Sequence, residues 1–297
     1  MKGVTRSPLA EAQTLRLEDG RRLAVRRWPG DAREPLVMLH GLFDSSEGWS
    51  PLCQRLSGAC LAFDLPGFGC SDPPSHGSLA GYARDIAEGL DMLGVDQITL
   101  VGHSLGGAVA AALAELIAER VRALVLLAPA GFGRIPLLEA FSLPGVRELS
   151  GLALPVVLSS RLAVAAAYMT VVSNGKWPER DLLERVTGLA RGRSIVAGVR
   201  EATRSMTNGR RQEQAFELRR MLYDGPVHAV WGTRDRVVPR SHSDGVLVAF
   251  PQAQIHVWDG MGHHHVRERI DDLIELIQEA TADGRGQAAR RRLADAA

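Results

Sequence analysis

The sequence predicts an α/β fold, in which a mostly parallel sheet carries helices on both faces. Two observations predict it. Short runs that are apolar at every position recur along the chain, as in strands that are buried on both faces. Longer stretches with helical spacing separate these runs, so strands and helices alternate. A length of 297 residues is ample for one such domain.

The chain opens on a predicted β-hairpin. Residues 14–18 and 22–26 alternate apolar and polar side chains, and the Asp19-Gly20 pair between them is typical of a tight turn. The predicted buried strands are 36–39, 60–63, 98–101, 123–127, 227–230 and 255–257. The predicted helices are 79–93, 105–119, 241–249 and 266–280. With the hairpin, the prediction is a sheet of eight strands.

The alternation is interrupted between residues 133 and 220, where helical and strongly apolar stretches replace the buried strands. Residues 151–172 contain Arg161 as their only charge, so a membrane span has to be considered. Pro155, the interior arginine and many weakly apolar alanines argue against it. We therefore predict a helical lid at 133–220, inserted into a core of residues 1–132 and 221–283. The Gly-, Ala- and Arg-rich end, 284–297, is predicted to be a flexible, solvated tail.

The composition narrows the class of protein. With 45% apolar residues and a net charge of +1, the chain is predicted to be folded rather than disordered. It lacks the excess of positive charge that is typical of nucleic-acid-binding proteins. Cys53, Cys60 and Cys70 form neither an even disulfide framework nor a metal-type spacing. The start, from Met1 to Gly20, has no apolar run of signal-peptide length. We expect a cytoplasmic monomer or homodimer that acts on a small molecule.

The chemistry centres on Gly102-His103-Ser104-Leu105-Gly106. A buried strand precedes this G-x-S-x-G sequence and an Ala-rich helix follows it, which is the setting that the motif requires. Small residues on both sides let a serine occupy a sharp turn without collisions. The N-terminus of the following helix then favours negative charge at the reacting centre. We predict that Ser104 is a nucleophile; the alternative is a plain helix start.

A serine nucleophile needs a base within hydrogen-bond reach and a third group that orients the base. The expected chain order is serine, carboxylate, histidine. Asp235 falls just past the predicted strand at 227–230, at the edge where α/β sheets place their working groups. Residues 128–131, after the preceding strand, offer no carboxylate, and Asp244 falls within the next helix. We predict that Asp235 is the acid; the alternative is a surface ion pair with a neighbouring arginine.

The last predicted strand runs into one glycine and three histidines at 262–265. Contiguous imidazoles in an extended loop cannot all reach one ion, so we expect no metal there. The glycine lets the first imidazole turn back toward the predicted nucleophile. We predict His263 as the base, with His264 as the alternative. Two further histidines, His242 and His256, are expected at the surface.

A tetrahedral intermediate needs preorganised N–H donors for its oxyanion. One donor is the residue after the nucleophile, Leu105. We assign the second to Leu42 N–H, in the loop after the third predicted strand, where His40-Gly41 comes first and His40 braces the loop. The predicted substrate-binding residues are Phe43, His103, Phe132, Leu138 and Phe141. No cofactor is expected.

Taken in order, these pieces resemble the α/β-hydrolase fold superfamily over about residues 36–280. The matched pieces are His40-Gly41, Asp64-Leu65-Pro66-Gly67-Phe68-Gly69-Cys70-Ser71, the Ser104 turn, Trp231-Gly232 with Asp235, and Gly262-His263. The resemblance implies the eight-stranded hydrolase sheet with an inserted helical lid. Residues 127–133 and 209–239 are similar to the hydrolase-like domain that ends acetoin dehydrogenase acetyltransferase components. Their upstream lipoyl-carrying module is absent here, so a free-standing hydrolase is expected.

Several branches of this superfamily can be compared by residue. Dehalogenases and epoxide hydrolases carry an aspartate where this chain has Ser104. Carbon–carbon bond hydrolases of aromatic degradation share the Asp235-Arg236 pair, but their usual Gly-Pro-Gly loop and the tryptophan after the base are replaced by residues 42–44 and His264. The leading hypothesis is therefore hydrolysis of a carboxylic ester, thioester or lactone of an apolar small molecule. Acyl transfer, carbon–carbon bond hydrolysis, a non-catalytic binding module and membrane contact by the lid stay open.

Overall fold

The computed structural model describes residues 10–75, 77–136, 156–173, 175–189, 198–199, 202 and 219–295, with their side chains except at 31–33 and 291–295. The strands are β1 Glu11–Arg16, β2 Arg22–Trp28, β3 Asp31–Leu39, β4 Gly58–Phe63, β5 Ile98–His103, β6 Val121–Leu127, β7 Val227–Gly232 and β8 Gln254–Trp258. The α-helices are α1 Ser50–Cys53, α2 Leu79–Met92, α3 Leu105–Leu116, α4 Arg161–Ala167, α5 Arg180–Leu189, α6 His242–Ala249, α7 His265–Glu268 and α8 Ile270–Asp295.

The eight strands form one sheet in the order β1-β2-β4-β3-β5-β6-β7-β8. β1 and β2 form the predicted hairpin, with Leu15 opposite Leu23, and Gly20 adopts a φ of 84° in its turn. β2 also pairs antiparallel with β4, whereas every pair from β4 to β8 in the sheet is parallel. The predicted mostly parallel sheet of eight strands is confirmed.

Both faces of the sheet are buried, because successive residues of a strand point to opposite sides. In β6, Leu126 belongs to the core on one face and Val125 to the core on the other. Helices α2 and α3 cover the first face. Helix α8 covers the second face and contributes Leu273 and Ile277 to its core. This two-sided burial explains why the inner strands are mostly apolar, with Thr99 of β5 and His228 of β7 as buried polar exceptions.

The C-terminal segment differs in part from its prediction. Residues 284–295 continue α8 as a helix, and Arg285, Gly286, Ala289 and Arg290 are exposed, as predicted for a solvated segment. Gly284 lies against the backbone of Arg122, so that an added Cβ would come within 2.4 Å of the Arg122 carbonyl oxygen. The next residue, Arg285, places its Nε 2.9 Å from Glu34 Oε2. Glycine and arginine thus make contacts with the core here that their composition alone does not reveal.

The interval between β6 and β7 contributes helical elements where it is described. Helix α4, a π-helical turn at Tyr168–Val172 and α5 follow one another. Residues 156–173 and 175–189 are called the cap below. Apolar side chains of the cap, including Leu158 and Leu183, form a separate small cluster that contacts Phe43 of the core. In the described chain, no helix combines the length and the apolar character that crossing a bilayer requires.

Truncating Ile277 tests the packing of α8 on the sheet. Its side chain is 1% exposed, so Ile277→Ala leaves a cavity and should lower the free energy of unfolding by about 2–5 kcal/mol. Glu275→Ala, at an exposed position of the same helix, is the control and should change it by less than about 0.5 kcal/mol. Urea denaturation followed by circular dichroism measures both, and equal midpoints for the two variants would contradict the packing.

Candidate active site

Loops that follow neighbouring strands meet at the carboxyl edge of the sheet. Leu39 of β3 lies opposite Gly102 of β5, and His103 of β5 lies opposite Leu127 of β6. β3 has β4 on one side and β5 on the other, so the direction of strand order reverses at β3. Such a reversal opens a crevice at the carboxyl ends of the strands. The loop after β3 and the turn after β5 therefore lie side by side.

Ser104 occupies a strained turn between β5 and α3. Its φ of 54° and ψ of −116° lie in a region that L-residues rarely adopt. Close backbone contacts around the turn require glycine. A Cβ on Gly102 would come within 2.4 Å of the Gly106 carbonyl oxygen, and one on Gly106 within 2.2 Å of the Leu39 carbonyl oxygen. The predicted serine turn is thus built from small residues in close contact with β3.

The backbone of Ser104 is held from both sides. Its N–H donates to the Leu127 carbonyl oxygen at 2.9 Å. Its own carbonyl oxygen accepts the N–H groups of Gly107, Ala108 and Ala130 at 3.0, 3.2 and 3.0 Å. The residue is 9% exposed. Among the described residues the Ser104 hydroxyl has no hydrogen-bond partner, so the predicted hydrogen bond between Ser104 and the base His263 is not formed here.

The two N–H groups predicted to hold an oxyanion lie beside this turn. Leu105 is the first residue of α3, where backbone N–H groups point out of the helix end without an intrahelical partner. Within the described chain, neither Leu105 N–H nor Leu42 N–H donates a hydrogen bond. Phe43, next to Leu42, adopts a strained φ of 62°. Both donors are therefore available for a ligand oxygen.

Two buried polar residues brace the loops of this edge. His40 Nε2 accepts the Leu65 N–H at 3.0 Å, which ties the loop after β3 to the loop after β4. Asp64 accepts the N–H groups of Ser46 at 2.7 Å and Cys70 at 2.8 Å through its two carboxylate oxygens. The bracing role predicted for His40 agrees with these contacts. Asp64 was singled out only as part of a motif, although its place directly after a buried strand indicated a structural or functional role.

Asp235 and His263 lie together at the same edge. Asp235 Oδ2 is 2.7 Å from His263 Nδ1, and Asp235 Oδ1 accepts the N–H groups of Val237 and Val238 at 2.8 and 2.9 Å. Burial acts to raise the pKa of Asp235, but the charge of His263 and these hydrogen bonds outweigh it and lower that pKa. A carboxylate at Nδ1 keeps the proton on that nitrogen and leaves Nε2 free to accept one. The alternative of a surface ion pair with an arginine does not fit a carboxylate that has no exposed surface.

His103 connects the serine turn to residues 262–265, which contain the predicted base and are called the base loop below. Its Nε2 donates to the His263 carbonyl oxygen at 2.8 Å, and the two imidazole rings lie 4.7 Å apart. Burial, and then the charge of His263, lower the pKa of His103 well below its ordinary value, so the ring is neutral. Because Ser104 follows His103 directly, this contact brings the predicted nucleophile and base to one place. The substrate contact predicted for His103 stays a prediction.

The other two histidines of the run have different partners. His264 Nδ1 lies 3.0 Å from the Tyr168 hydroxyl of the cap, and His265 Nδ1 lies 3.0 Å from the His263 carbonyl oxygen. Burial lowers the pKa of His264 to about 3 and that of His265 to about 4. His263 pairs with a carboxylate and His264 with a tyrosine, so the geometry favours His263 as the base. In the part of the chain that the structure describes, no group of three or more His, Cys, Asp or Glu side chains could hold a metal ion.

Two histidines that were expected at the surface lie elsewhere. His242 is fully buried, with its Nε2 3.1 Å from the Arg134 carbonyl oxygen, and a Cβ on Gly133 would meet its ring at 2.7 Å. The prediction for His242 was wrong, because the start of α6 packs against the loop that follows β6. His256 is half-buried and stacks on His228, with ring centres 5.4 Å apart.

The predicted substrate-binding residues are described only in part. Leu138 and Phe141 lie outside the described residues. Phe43 is half-buried and packs against the apolar cluster of the cap. Phe132 is 4% exposed, and its ring lies 6.3 Å from that of Phe250 in the core. Phe132 thus fills core space, and contact of these side chains with a substrate stays a prediction.

A buried ion pair that the sequence did not predict joins the cap to the loop after β3, which carries Leu42. Arg185 of α5 places its Nε 2.8 Å from Asp44 Oδ1, and the Arg185 side chain is 5% exposed. Burial acts to raise the pKa of Asp44, but the charge of Arg185, followed by that of His264, outweighs it and lowers that pKa. A Cβ on Gly48 would come within 2.4 Å of the Asp44 carboxylate. No local sequence pattern connects two residues 141 positions apart.

Comparisons with known proteins agree with this architecture. A family model described as the alpha/beta hydrolase fold matches residues 34–159. An uncharacterized protein of Mycobacterium tuberculosis is 31% identical, over 83% of this chain and 75% of that protein. The dihydrolipoyllysine-residue acetyltransferase component of the acetoin cleaving system of Cupriavidus necator is 30% identical, over 88% of this chain and 67% of that protein. A 2-hydroxy-6-oxononadienedioate/2-hydroxy-6-oxononatrienedioate hydrolase of Klebsiella pneumoniae is 27% identical, over 91% and 96%.

Solved structures are similar in fold. An esterase from Exiguobacterium antarcticum superposes with a TM-score of 0.73 at 18% identity, over 92% of this chain and 100% of that chain. A carboxylesterase of Bacillus subtilis gives 0.67 at 21% identity, over 92% of each chain. The reversed strand order and the strained serine turn define the class as α/β hydrolases. The chain belongs to the α/β-hydrolase fold family, with distant homology to the acetoin-cleaving component and to the hydrolase of Klebsiella.

Acid unfolding tests the buried histidines. Because the pKa of His265 in the folded state is about 4 and its ordinary value is 6.5, the unfolded chain binds this proton more tightly. The stabilisation is complete above pH 6.5 and is lost as the pH falls toward 4. We expect His265 to lower the free energy of unfolding by about 2 kcal/mol between pH 7 and pH 5.

Urea unfolding at the two pH values measures this loss. His265→Asn should lose less stability between them than the wild type, whatever its stability at pH 7. The same pH dependence in both proteins would contradict a neutral, buried His265.

Proposed function

We propose that the protein is a serine hydrolase that cleaves a carboxylic ester, or a related thioester or lactone, through an acyl-enzyme. The observation that carries the proposal is the buried 2.7 Å hydrogen bond between Asp235 and His263, beside the strained Ser104 turn. Serine, imidazole and carboxylate in this order along the chain provide a nucleophile, a base and a group that orients the base. A binding module has no physical need for this arrangement.

In the proposed mechanism, His263 Nε2 takes the proton of Ser104 as the serine oxygen attacks the substrate carbonyl carbon. The N–H groups of Leu42 and Leu105 stabilise the oxyanion of the tetrahedral intermediate. His263 then gives its proton to the leaving alcohol, which leaves an acyl-enzyme. It next activates a water molecule that hydrolyses this ester. Asp235 holds the Nδ1–H tautomer and stabilises the imidazolium without taking the proton.

An apolar substrate is inferred from the surroundings of the oxyanion donors. Phe43 follows the donor Leu42 directly and is half-buried against the apolar cluster of the cap. Ligand pockets are lined mainly by such side chains, with a few polar groups that fix orientation. We also place the enzyme in the cytoplasm, since its three cysteines, Cys53, Cys60 and Cys70, are free thiols.

Carbon–carbon bond hydrolysis is the second candidate. The name of the hydrolase of Klebsiella pneumoniae gives its substrate as an oxo dicarboxylate, and 96% of that protein aligns with this chain. This chain shares the Asp235-Arg236 pair, but Arg236 donates to the Thr170 carbonyl oxygen of the cap at 3.1 Å. Turnover of a 2-hydroxy-6-oxo-dienoate, with none of simple esters, would favour this candidate. An acyl-enzyme that water does not release, but an added alcohol or thiol does, would favour an acyltransferase.

Replacing the nucleophile tests the proposal directly. On p-nitrophenyl esters of increasing chain length, Ser104→Ala should lose about 10⁶-fold in kcat, because the attacking oxygen is removed. Ser241→Ala, at an exposed position before α6, is the matched control and should keep wild-type rates. A covalent adduct with an organophosphonate, seen as a mass increase in wild type and not in Ser104→Ala, provides a second readout. Unchanged turnover in Ser104→Ala would sink the proposal.

Removing the charge of the acid tests the orientation of the base. Asp235→Asn should cost about 10⁴-fold in kcat, because an amide at this position favours the wrong imidazole tautomer. Steady-state kinetics on the best ester of the panel measure the loss, and thermal unfolding checks that the variant is folded. Full activity in folded Asp235→Asn would show that another group orients His263.

A further inference from the structure

The backbone of the base loop is held at three consecutive positions by groups from outside it. Gly262 N–H donates to Glu268 Oε2 at 3.1 Å, and His264 N–H donates to Glu268 Oε1 at 3.3 Å. Between them, His263 N–H donates to the Val172 carbonyl oxygen of the cap at 2.8 Å. One carboxylate therefore spans the predicted base, with one oxygen on each side of it.

Glu268 is buried where a carboxylate has to be compensated. Its side chain is 2% exposed, at the end of the short helix α7. A buried charge without partners is costly, so such groups are paired and hydrogen-bonded. The two backbone N–H groups and the Lys176 ammonium, 3.6 Å from Oε2, supply these partners. The carboxylate thus depends on the base loop for its own compensation, as the loop depends on the carboxylate.

The glycine before the base is explained by the same contacts. A Cβ on Gly262 would come within 2.3 Å of the Val172 carbonyl oxygen and 2.9 Å of Glu268 Oε1. A side chain here would push the loop away from both anchors. The sequence analysis attributed this glycine to the freedom of the imidazole to turn back. The structure indicates close approach of the backbone to its anchors instead.

We propose that Glu268 is a positioning residue for His263, a role that rests on the proposed function. The hydrogen bond to Asp235 orients the imidazole through Nδ1 but does not itself hold the main chain of the loop. Glu268 fixes the main chain on both sides of His263, and so fixes the position from which Nε2 has to reach Ser104 in the proposed reaction. Displacement of a catalytic group by about 1 Å is enough to cost about 100-fold in rate.

Two substitutions separate position from charge. Glu268→Gln keeps the size of the side chain but offers one acceptor, and its NH₂ group would face an N–H donor. Glu268→Asp keeps the charge but is one methylene shorter, so its oxygens cannot span the loop. Both variants should lose about 10- to 100-fold in kcat on the best ester, with KM within about two-fold of wild type. Glu275→Gln, an exposed glutamate on α8, is the matched control and should be unchanged.

The pH profile supplies a readout that a merely structural role would not move. A misaligned His263 forms a weaker hydrogen bond to Asp235, so its imidazolium is less stabilised. The acid limb of kcat/KM in both Glu268 variants should therefore move to lower pH by about 0.3 to 1 unit. Wild-type kcat and pH profile in folded Glu268→Asp would overturn the positioning role, because charge alone would then suffice. The same result in folded Glu268→Gln would overturn it as well.

Failure of this inference can be told from failure of the proposed function. If Ser104→Ala abolishes esterase activity while the Glu268 variants match wild type, only the positioning role is lost. If Ser104→Ala retains full activity, the proposed function itself is lost.

Hydrogen exchange on the wild-type protein tests the anchor without any substitution. The amides of Gly262 and His264 should exchange at least about 100-fold more slowly than unprotected amides of the same sequence, since each donates a buried hydrogen bond. Exchange at unprotected rates would overturn the proposal even if no Glu268 variant folds.

Discussion

The conformation of Ser104 is the constraint on which the rest of the edge depends. A φ of 54° in an L-residue costs on the order of 1–3 kcal/mol and persists only if its surroundings fix it. The surroundings here come from three strands: β5 carries the serine, β6 accepts its N–H at Leu127, and β3 approaches Gly106 so closely that no side chain fits. The loop after β6 closes the arrangement, because Ala130 N–H donates to the Ser104 carbonyl oxygen. The central parallel sheet thus stabilises the strained turn. The turn then directs the N-terminus of α3 toward the site.

The cap contacts two loops at this edge of the sheet, the loop after β3 and the loop after β8. Arg185 contacts Asp44, in the same loop as the predicted oxyanion donor Leu42. The π-helical turn Tyr168–Val172 contacts residues 263 and 264 through the Val172 carbonyl oxygen and the Tyr168 hydroxyl. Burial raises the pKa of Tyr168 well above its ordinary value, so its hydroxyl keeps its proton and can donate to the neutral imidazole of His264. The cap is therefore part of the structure that holds these two loops in place. It is tied to the two loops that carry the predicted oxyanion donor Leu42 and the predicted base His263.

Features that depend on residues close together in the sequence could be predicted, whereas contacts between residues far apart in the chain mostly could not. The inner strands could be predicted because burial on both faces makes most of their residues apolar. The serine turn could be predicted because its strand, glycines and helix are adjacent in sequence. Asp235 and His263 were placed by chain order after successive strands, and they lie 2.7 Å apart. The partnership of Asp44 with Arg185, the burial of His242 and the packing of Gly284 on Arg122 depend on which surfaces meet after folding. Composition carries no record of that.

The three adjacent histidines show how partners, rather than residue type, assign roles in a site. All three side chains are buried, and burial lowers the pKa values of His264 and His265. His263 has a buried carboxylate at Nδ1, whereas His264 has a tyrosine hydroxyl and His265 a backbone carbonyl. Of these three histidines, His263 is the one with a carboxylate partner, which fits the role proposed for it as the base. The rings of His264 and His265, whose pKa values burial lowers, fill the space beside His263 without adding positive charge there.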